Sequence, residues 1–123
     1  MERTNKAIVR DFIDTVFNAR DLSELDRFMR DDYRQHNPRV KNGKEGFIEF
    51  AEQFFTLKPH MHVFKMAEDD DMVFVFFKCT FANGTAAKVC DIYRLEDGLL
   101  AEHWDVLQPI EENDAGVSGN GHF

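Results

Sequence analysis

Basic residues are scarce in this 123-residue chain. Fifteen lysines and arginines stand against 23 aspartates and glutamates, for a formal charge of −8. That balance argues against nucleic acid and anionic membrane as main partners, because both are held through basic patches. A neutral or small anionic ligand stays compatible with it. No apolar run approaches the roughly 18 residues of a transmembrane helix, so no membrane span is expected. The opening "MERTNKAIVRDF" is charged and lacks the apolar centre of a signal peptide. Two cysteines, Cys79 and Cys90, are too few for a disulfide framework. These absences describe a soluble, cytoplasmic protein with free thiols. Tyrosine (2) and tryptophan (1) are rare beside 13 phenylalanines. Phenylalanine brings contact area without a polar handle, so a dry interior is expected.

The length suits one domain with a modest core. Its first half reads as three helices. Ile8/Val9, Phe12/Ile13 and Val16/Phe17 recur every four residues and form one broad stripe. In "DLSELDRFMRDD", Asp21 followed by Glu24 reads as a helix start, with Leu22, Leu25, Phe28 and Met29 on one side. A third helix begins near Asn42 or Gly43 and stops at Pro59. Four strands follow: "HMHVFKMAEDD", "MVFVFFKCTFA", "TAAKVCDIYRLE" and "LLAEHWDVLQPI". Helices first and antiparallel strands afterwards indicate an α+β fold, with helices on one side of the sheet. The domain is expected over residues 1–110. The Gly-, Asn- and Ser-rich residues 111–123 read as a flexible tail.

Hairpin loops set which side chains share a face. A two-residue loop at Asn83-Gly84 and a three-residue loop at Glu96-Asp97-Gly98 place Phe76, Asp91 and His103 in one row. Lys78, Val89 and Asp105 form the next row, with Tyr93 on the same face. A two-residue loop at Asp97-Gly98 would turn the last strand over. With the three-residue loop, the opposite face carries Val75, Phe77, Cys79, Cys90, Ile92, Trp104 and Val106. Both faces are substantially apolar. Helices cover one, and a homodimer is the simplest cover for the other, with Trp104, Phe77, Ile92 and Val106 in the interface. Alternation thus separates His103 and Asp105 from Trp104 within "EHWDVLQP".

The segments "YRQHNP" (33–38), "VCDIYRLEDG" (89–98) and "EHWDVLQP" (102–109) resemble the SnoaL-like branch of the nuclear transport factor 2-like superfamily. The resemblance reaches to about residue 110. It implies a cone-shaped fold in which a strongly curved antiparallel sheet wraps around helices and leaves a deep apolar pocket. It also implies dimers packed sheet to sheet, and cofactor-free aldol chemistry by an acid/base aspartate where Asp105 stands. Asp91 occupies the place of a pocket histidine of the cyclases, and Phe76, Phe77 and Lys78 replace the histidines of other relatives. The resemblance places His36 at or near the pocket.

Asp105 is the candidate base, since an apolar pocket penalises a charged carboxylate and makes it proton-seeking. Its structural alternative is an ion pair with Lys78. His103 would shuttle a proton, oriented by Asp91 as in a triad, or be a core histidine held by the same partner. Lys78 would be a nucleophile if neutral; pairing with Asp105 or Asp91, or reaching the pocket rim, is the favoured reading. His36 is a pocket residue or a turn cap. Tyr33 and Tyr93 are hydrogen-bond donors to a carbonyl, or core residues. His36, His103, Asp91 and Asp105 could make a metal set, but no HExxH-type spacing supports one, and neither metal nor cofactor is expected. The function expected is a cofactor-free acid/base enzyme of isomerase, aldol-cyclase or hydrolase type acting on a small apolar carbonyl compound. The alternative is a non-catalytic protein that binds a small apolar molecule.

Overall fold

Thr4 starts the first helix by accepting a hydrogen bond from the Ala7 amide at 3.1 Å. The computed structural model describes residues 3–111 and 113–123. Helix α1 (Asn5–Phe12) continues as a π-helical stretch over Ile13–Asn18. The apolar doublets do what their spacing predicts. Val9, Phe12, Ile13, Val16 and Phe17 are all buried. Phe12 is their hub, with ring centroids of Phe17, Phe28, Phe47 and Tyr93 at 5.4–5.9 Å. Helix α2 (Gly43–Phe54) buries Gly46, Phe47 and Ala51. It tightens into a 3-10 turn over Phe55–Leu57, and the left-handed Lys58 (φ 53°) before Pro59 ends it.

The expected middle helix does not form, so the described residues build two α-helices rather than three. Asp21 caps a short Asx turn by accepting from the Ser23 amide at 2.9 Å. Only Leu25–Arg27 is helical, as a 3-10 turn. The chain then enters β1 (Met29–Gln35). Leu25, Phe28 and Met29 are buried as their spacing suggested, but a turn and a strand bury them. The reason is tertiary. The Phe28 carbonyl accepts from the Leu100 amide at 2.7 Å, which pins this segment along the edge of the sheet. Charged Arg30, Asp31, Asp32 and Arg34 on β1 hide its strand character in the sequence and guard the edge.

The other strands are β2 (His60–Asp69), β3 (Met72–Thr80), β4 (Ala86–Glu96) and β5 (Leu99–Ile110), as the pattern predicts. Their order is β1-β5-β4-β3-β2. The β5-β4-β3-β2 pairings are antiparallel, whereas β1 runs parallel to β5. This curved sheet wraps the two helices in a cone-shaped α+β fold.

The two hairpin loops have lengths opposite to those expected. Glu96 pairs with Leu99, which leaves two loop residues, Asp97 (φ 53°) and Gly98 (φ 78°). Two positive φ angles make the tight turn that matches strand twist. At the other hairpin, the Phe81 amide donates to the Thr85 carbonyl at 3.0 Å, leaving Ala82, Asn83 and Gly84 as a three-residue loop with Gly84 at φ 87°. The two differences have unequal effects. On β5, Leu95 pairs with Leu100 but Arg94 pairs with Glu102, so Ala101 is an extra residue. That bulge restores the parity the shorter loop would have reversed. No such bulge follows the longer loop, and β3 is turned over: Val75 pairs with Asp91 and Phe77 with Val89.

Candidate active site

A cavity of about 410 Å³ opens between the sheet and the helices. Phe47, Phe50 and Phe54 of α2 line one side, with Phe17, Met61, Phe77 and Phe81. Asp91 and Tyr93 of β4, His103 and Asp105 of β5, and Tyr33 and Gln35 of β1 supply its polar part. Strand alternation explains the grouping. Asp91 pairs with Asp105 and Tyr93 with His103 across the β4–β5 ladder.

These groups form one connected set. The Tyr93 hydroxyl donates to Asp91 Oδ2 at 3.0 Å, and His103 Nε2 lies 3.1 Å from Asp91 Oδ1. On the ring's other side, His103 Nδ1 lies 2.8 Å from Gln35 Oε1. Asn37 Nδ2 donates to both oxygens of Asp105, each at 3.0 Å. His103 Nε2 and Asp105 Oδ2 are 3.9 Å apart. Asp91 and His103 are only 5% and 7% exposed, whereas Asp105 is half-buried. An imidazole and two carboxylates therefore face the same end of an apolar cavity.

Burial pulls the His103 imidazole toward its neutral form. The Asp91 and Asp105 carboxylates outweigh it, and the ring titrates above its ordinary value. Burial, then Asp91, holds the Tyr93 hydroxyl protonated well above the usual range; burial, Asp91 and Asp105 do the same for Tyr33. Burial, reinforced by Asp91, pushes the Cys79 thiol up to about 12, so it is an inert lining group.

Asp91, His103, Asp105, Tyr33 and Tyr93 thus come together as expected. Phe76 and Lys78 do not join them. The turned-over β3 sends both to the outer face, where Lys78 stands opposite Lys88. Phe77, expected in the outer interface, is 1% exposed and lines the cavity instead. Cys79 likewise faces inward while Cys90 lies on the other side, and both are free thiols. Ile92, Trp104 and Val106 do face outward. His36 is also outside the cavity. Alternation along β1 turns Tyr33 and Gln35 inward and His36 outward, where its ring stacks on Trp104 at 4.8 Å. His36 Nε2 contacts Glu102 Oε2 at 2.6 Å, and Arg94 Nε donates to Glu102 Oε1 at 3.0 Å. His36 hydrogen bonding, opposed by burial and aided by Arg94, holds the Glu102 carboxyl below its usual value.

Gln35 and Asn37 are the hydrogen-bond partners of His103 and Asp105 that sequence reasoning missed. Counting two residues on from Tyr33 would have found Gln35. For a metal, Asp91, His103 and Asp105 each offer one ligand atom within 4.8 Å of the others. His36 does not belong to that set. The same three side chains are engaged by hydrogen bonds from Tyr93 and Asn37 and by the His103–Asp91 pair.

Residues 9–103 match the SnoaL-like domain. Several solved structures share the fold. TsrD from Streptomyces laurentii is 22% identical, with 87% of this chain and 90% of that chain covered and a TM-score of 0.71. IdmH from Streptomyces antibioticus, described as a candidate polyketide cyclase, is 16% identical over 85% and 92%, with a TM-score of 0.69. A candidate ketosteroid isomerase from Kribbella flavida is 20% identical over 91% and 83%, with a TM-score of 0.75. At these identities the likeness concerns the fold. None of the curated proteins matches the chain by sequence.

Proposed function

The chain belongs to the SnoaL-like family, and from that premise we propose that it is a cofactor-free acid/base enzyme acting on a small apolar carbonyl compound. The observation that carries the proposal is an imidazole and a carboxylate, His103 and Asp105, 3.9 Å apart in the wall of one apolar cavity. Asp105 is the base, held by Asn37 with its carboxylate at the cavity wall. His103, whose titration Asp91 raises, is the acid. A ketone or ester seated between them would lose a proton from the carbon beside its carbonyl to Asp105. The carbonyl oxygen would meanwhile share the His103 Nε2–H with Asp91, which faces it in the free protein, and take a hydrogen bond or the proton from it. The resulting enol then reprotonates at another carbon (isomerisation) or attacks a second carbonyl (aldol closure). Relatives of the same fold described as candidate polyketide cyclase and ketosteroid isomerase are consistent with this chemistry.

The test is a panel of apolar ketones and esters assayed for binding and for turnover with the native protein and with Asp105→Asn. Loss of one general base is expected to lower turnover by about 10²–10⁴-fold while binding persists. Unchanged turnover in Asp105→Asn would exclude Asp105 as the base. The dominance of phenylalanine in the cavity lining favours a second reading, a non-catalytic binder of small apolar molecules. Saturable binding with no turnover by the native protein would select it.

A further inference from the structure

The Gln35 side chain has one orientation that satisfies its surroundings. Its Oε1 lies 3.1 Å from the His36 amide and 3.0 Å from the Asn37 amide. Both amides are donors, so the atom facing them is the oxygen and not the NH2 group. The same oxygen lies 2.8 Å from His103 Nδ1. Across the ring, Nε2 faces Asp91 Oδ1 at 3.1 Å. Asp91 Oδ2 is already accepting from Tyr93.

Each ring nitrogen of His103 therefore meets an oxygen acceptor. A neutral imidazole carries one N–H and one lone pair. Either neutral tautomer would point its lone pair at an oxygen lone pair, at Gln35 on one side or at Asp91 on the other. Only the doubly protonated ring donates to both. We infer that Gln35 is a positioning residue that holds His103 as an imidazolium, poised to act as the acid of the site. This rests on the acid role given to His103 above, and it adds the residue that maintains that role. Asp91 would also be satisfied by the neutral Nε2–H form; the acceptor at Nδ1 is what disfavours that tautomer. The backbone of residues 36–37 clamps Gln35, so the acceptor at Nδ1 is fixed before any ligand arrives.

The ionisable groups facing the ring are Asp91 and Tyr93 from β4, Asp105 from β5 and Tyr33 from β1, with Cys79 of β3 further along the cavity wall. α2 brings phenylalanines, of which Phe47 packs on Tyr33. The carboxylates favour the charged ring irrespective of Gln35, so the test must vary Gln35 alone. The experiment is nitrogen-15 NMR of the histidine side chains in the free, full-length protein, titrated with pH. Native His103 is expected to show both ring nitrogens protonated at neutral pH. Gln35→Leu should move its midpoint down by about one pH unit, the worth of one charge-assisted hydrogen bond, and leave Nε2–H as the neutral form. Gln35→Glu restores an acceptor and adds charge, so its midpoint should lie at or above the native one. A loss of fold in Gln35→Leu would leave the Glu variant to decide. A Gln35→Glu midpoint below the native one, or a Gln35→Leu midpoint equal to it, would overturn the inference. Because the readout needs no substrate, it separates from the enzymatic reading. Native-like titration in Gln35→Leu sinks the role of Gln35 alone, whereas absent turnover with the expected titrations sinks the activity alone.

Discussion

Asp91 favours the protonated form of His103, and that coupling has a measurable effect on stability. The folded-state titration of His103 is raised, with burial opposing it and Asp91 then Asp105 overcoming the burial. A raised folded value means that the native state holds the proton more tightly than the unfolded chain. The stabilisation is complete below the unfolded value of about 6.5 and disappears as pH rises through the folded value. Asp91→Asn removes the nearest carboxylate. Urea unfolding of the two proteins is expected to differ most near pH 6 and to converge in its pH-dependent part at alkaline pH. A stability difference that stays constant over that range would mean that the pair does not couple through the imidazolium. The residues of this site were unevenly legible. His103 and Asp105 announce themselves as a charged pair two apart in an apolar strand, the mark of one face. Gln35 and Asn37 lie in "RDDYRQHNP", where charges on an edge strand mask the alternation. His36 drew attention as the reactive residue type, but its parity sends it outward.

At the scale of elements, the hairpin loops decide which residues meet. "NG" reads as a two-residue turn and "DG" can serve either length. Here Asn83-Gly84 belongs to the longer loop and Asp97-Gly98 to the shorter. A one-residue difference turned β3 over and moved Phe76, Phe77 and Lys78 across the sheet. On β5 the Ala101 bulge compensated, so the Asp91–His103–Asp105 grouping is as expected even though its register is not. Bulges arise from sheet curvature and carry no signal in an apolar "LLA". The segment that seats Gln35 and Asn37 has its own constraint. The Gln35 amide donates to Asn42 Oδ1 at 2.9 Å, and a Cβ placed on Gly46 would meet the Lys41 carbonyl oxygen at 1.9 Å. Nothing larger than glycine fits there without moving the 37–42 loop. Gly46→Ala is expected to cost about 1–3 kcal/mol by overpacking, read by thermal or chemical unfolding. Native stability in that variant would show that the loop yields freely.

At the scale of the whole molecule, the outer face of the sheet is apolar and partly exposed. Phe74 and Val106 are 37% and 67% exposed there, beside Ile92 and Trp104. The final residues of the chain lie on the same face. Phe123 stacks on Phe64 at 4.6 Å and lies 5.5 Å from Phe76, and Lys88 Nζ donates to His122 Nδ1 at 3.2 Å. We propose that a second copy of the chain covers the part the tail leaves bare, from Phe74 to Val106. Light scattering should then give twice the 14.4 kDa chain mass, and Val106→Asp should halve it; a native monomer at micromolar concentration would remove the dimer. No helix among the described residues is long and apolar enough to cross a membrane. The proposed chemistry requires the cavity to move protons to and from carbon. The most direct measurement is deuterium uptake from heavy water beside the carbonyl of small apolar ketones, followed by proton NMR. The native protein should accelerate uptake in at least one of them, with Asp105→Asn slower by about 10²–10⁴-fold. Acceleration of equal size in both proteins, or ketones that bind saturably without exchanging, would contradict the proposal.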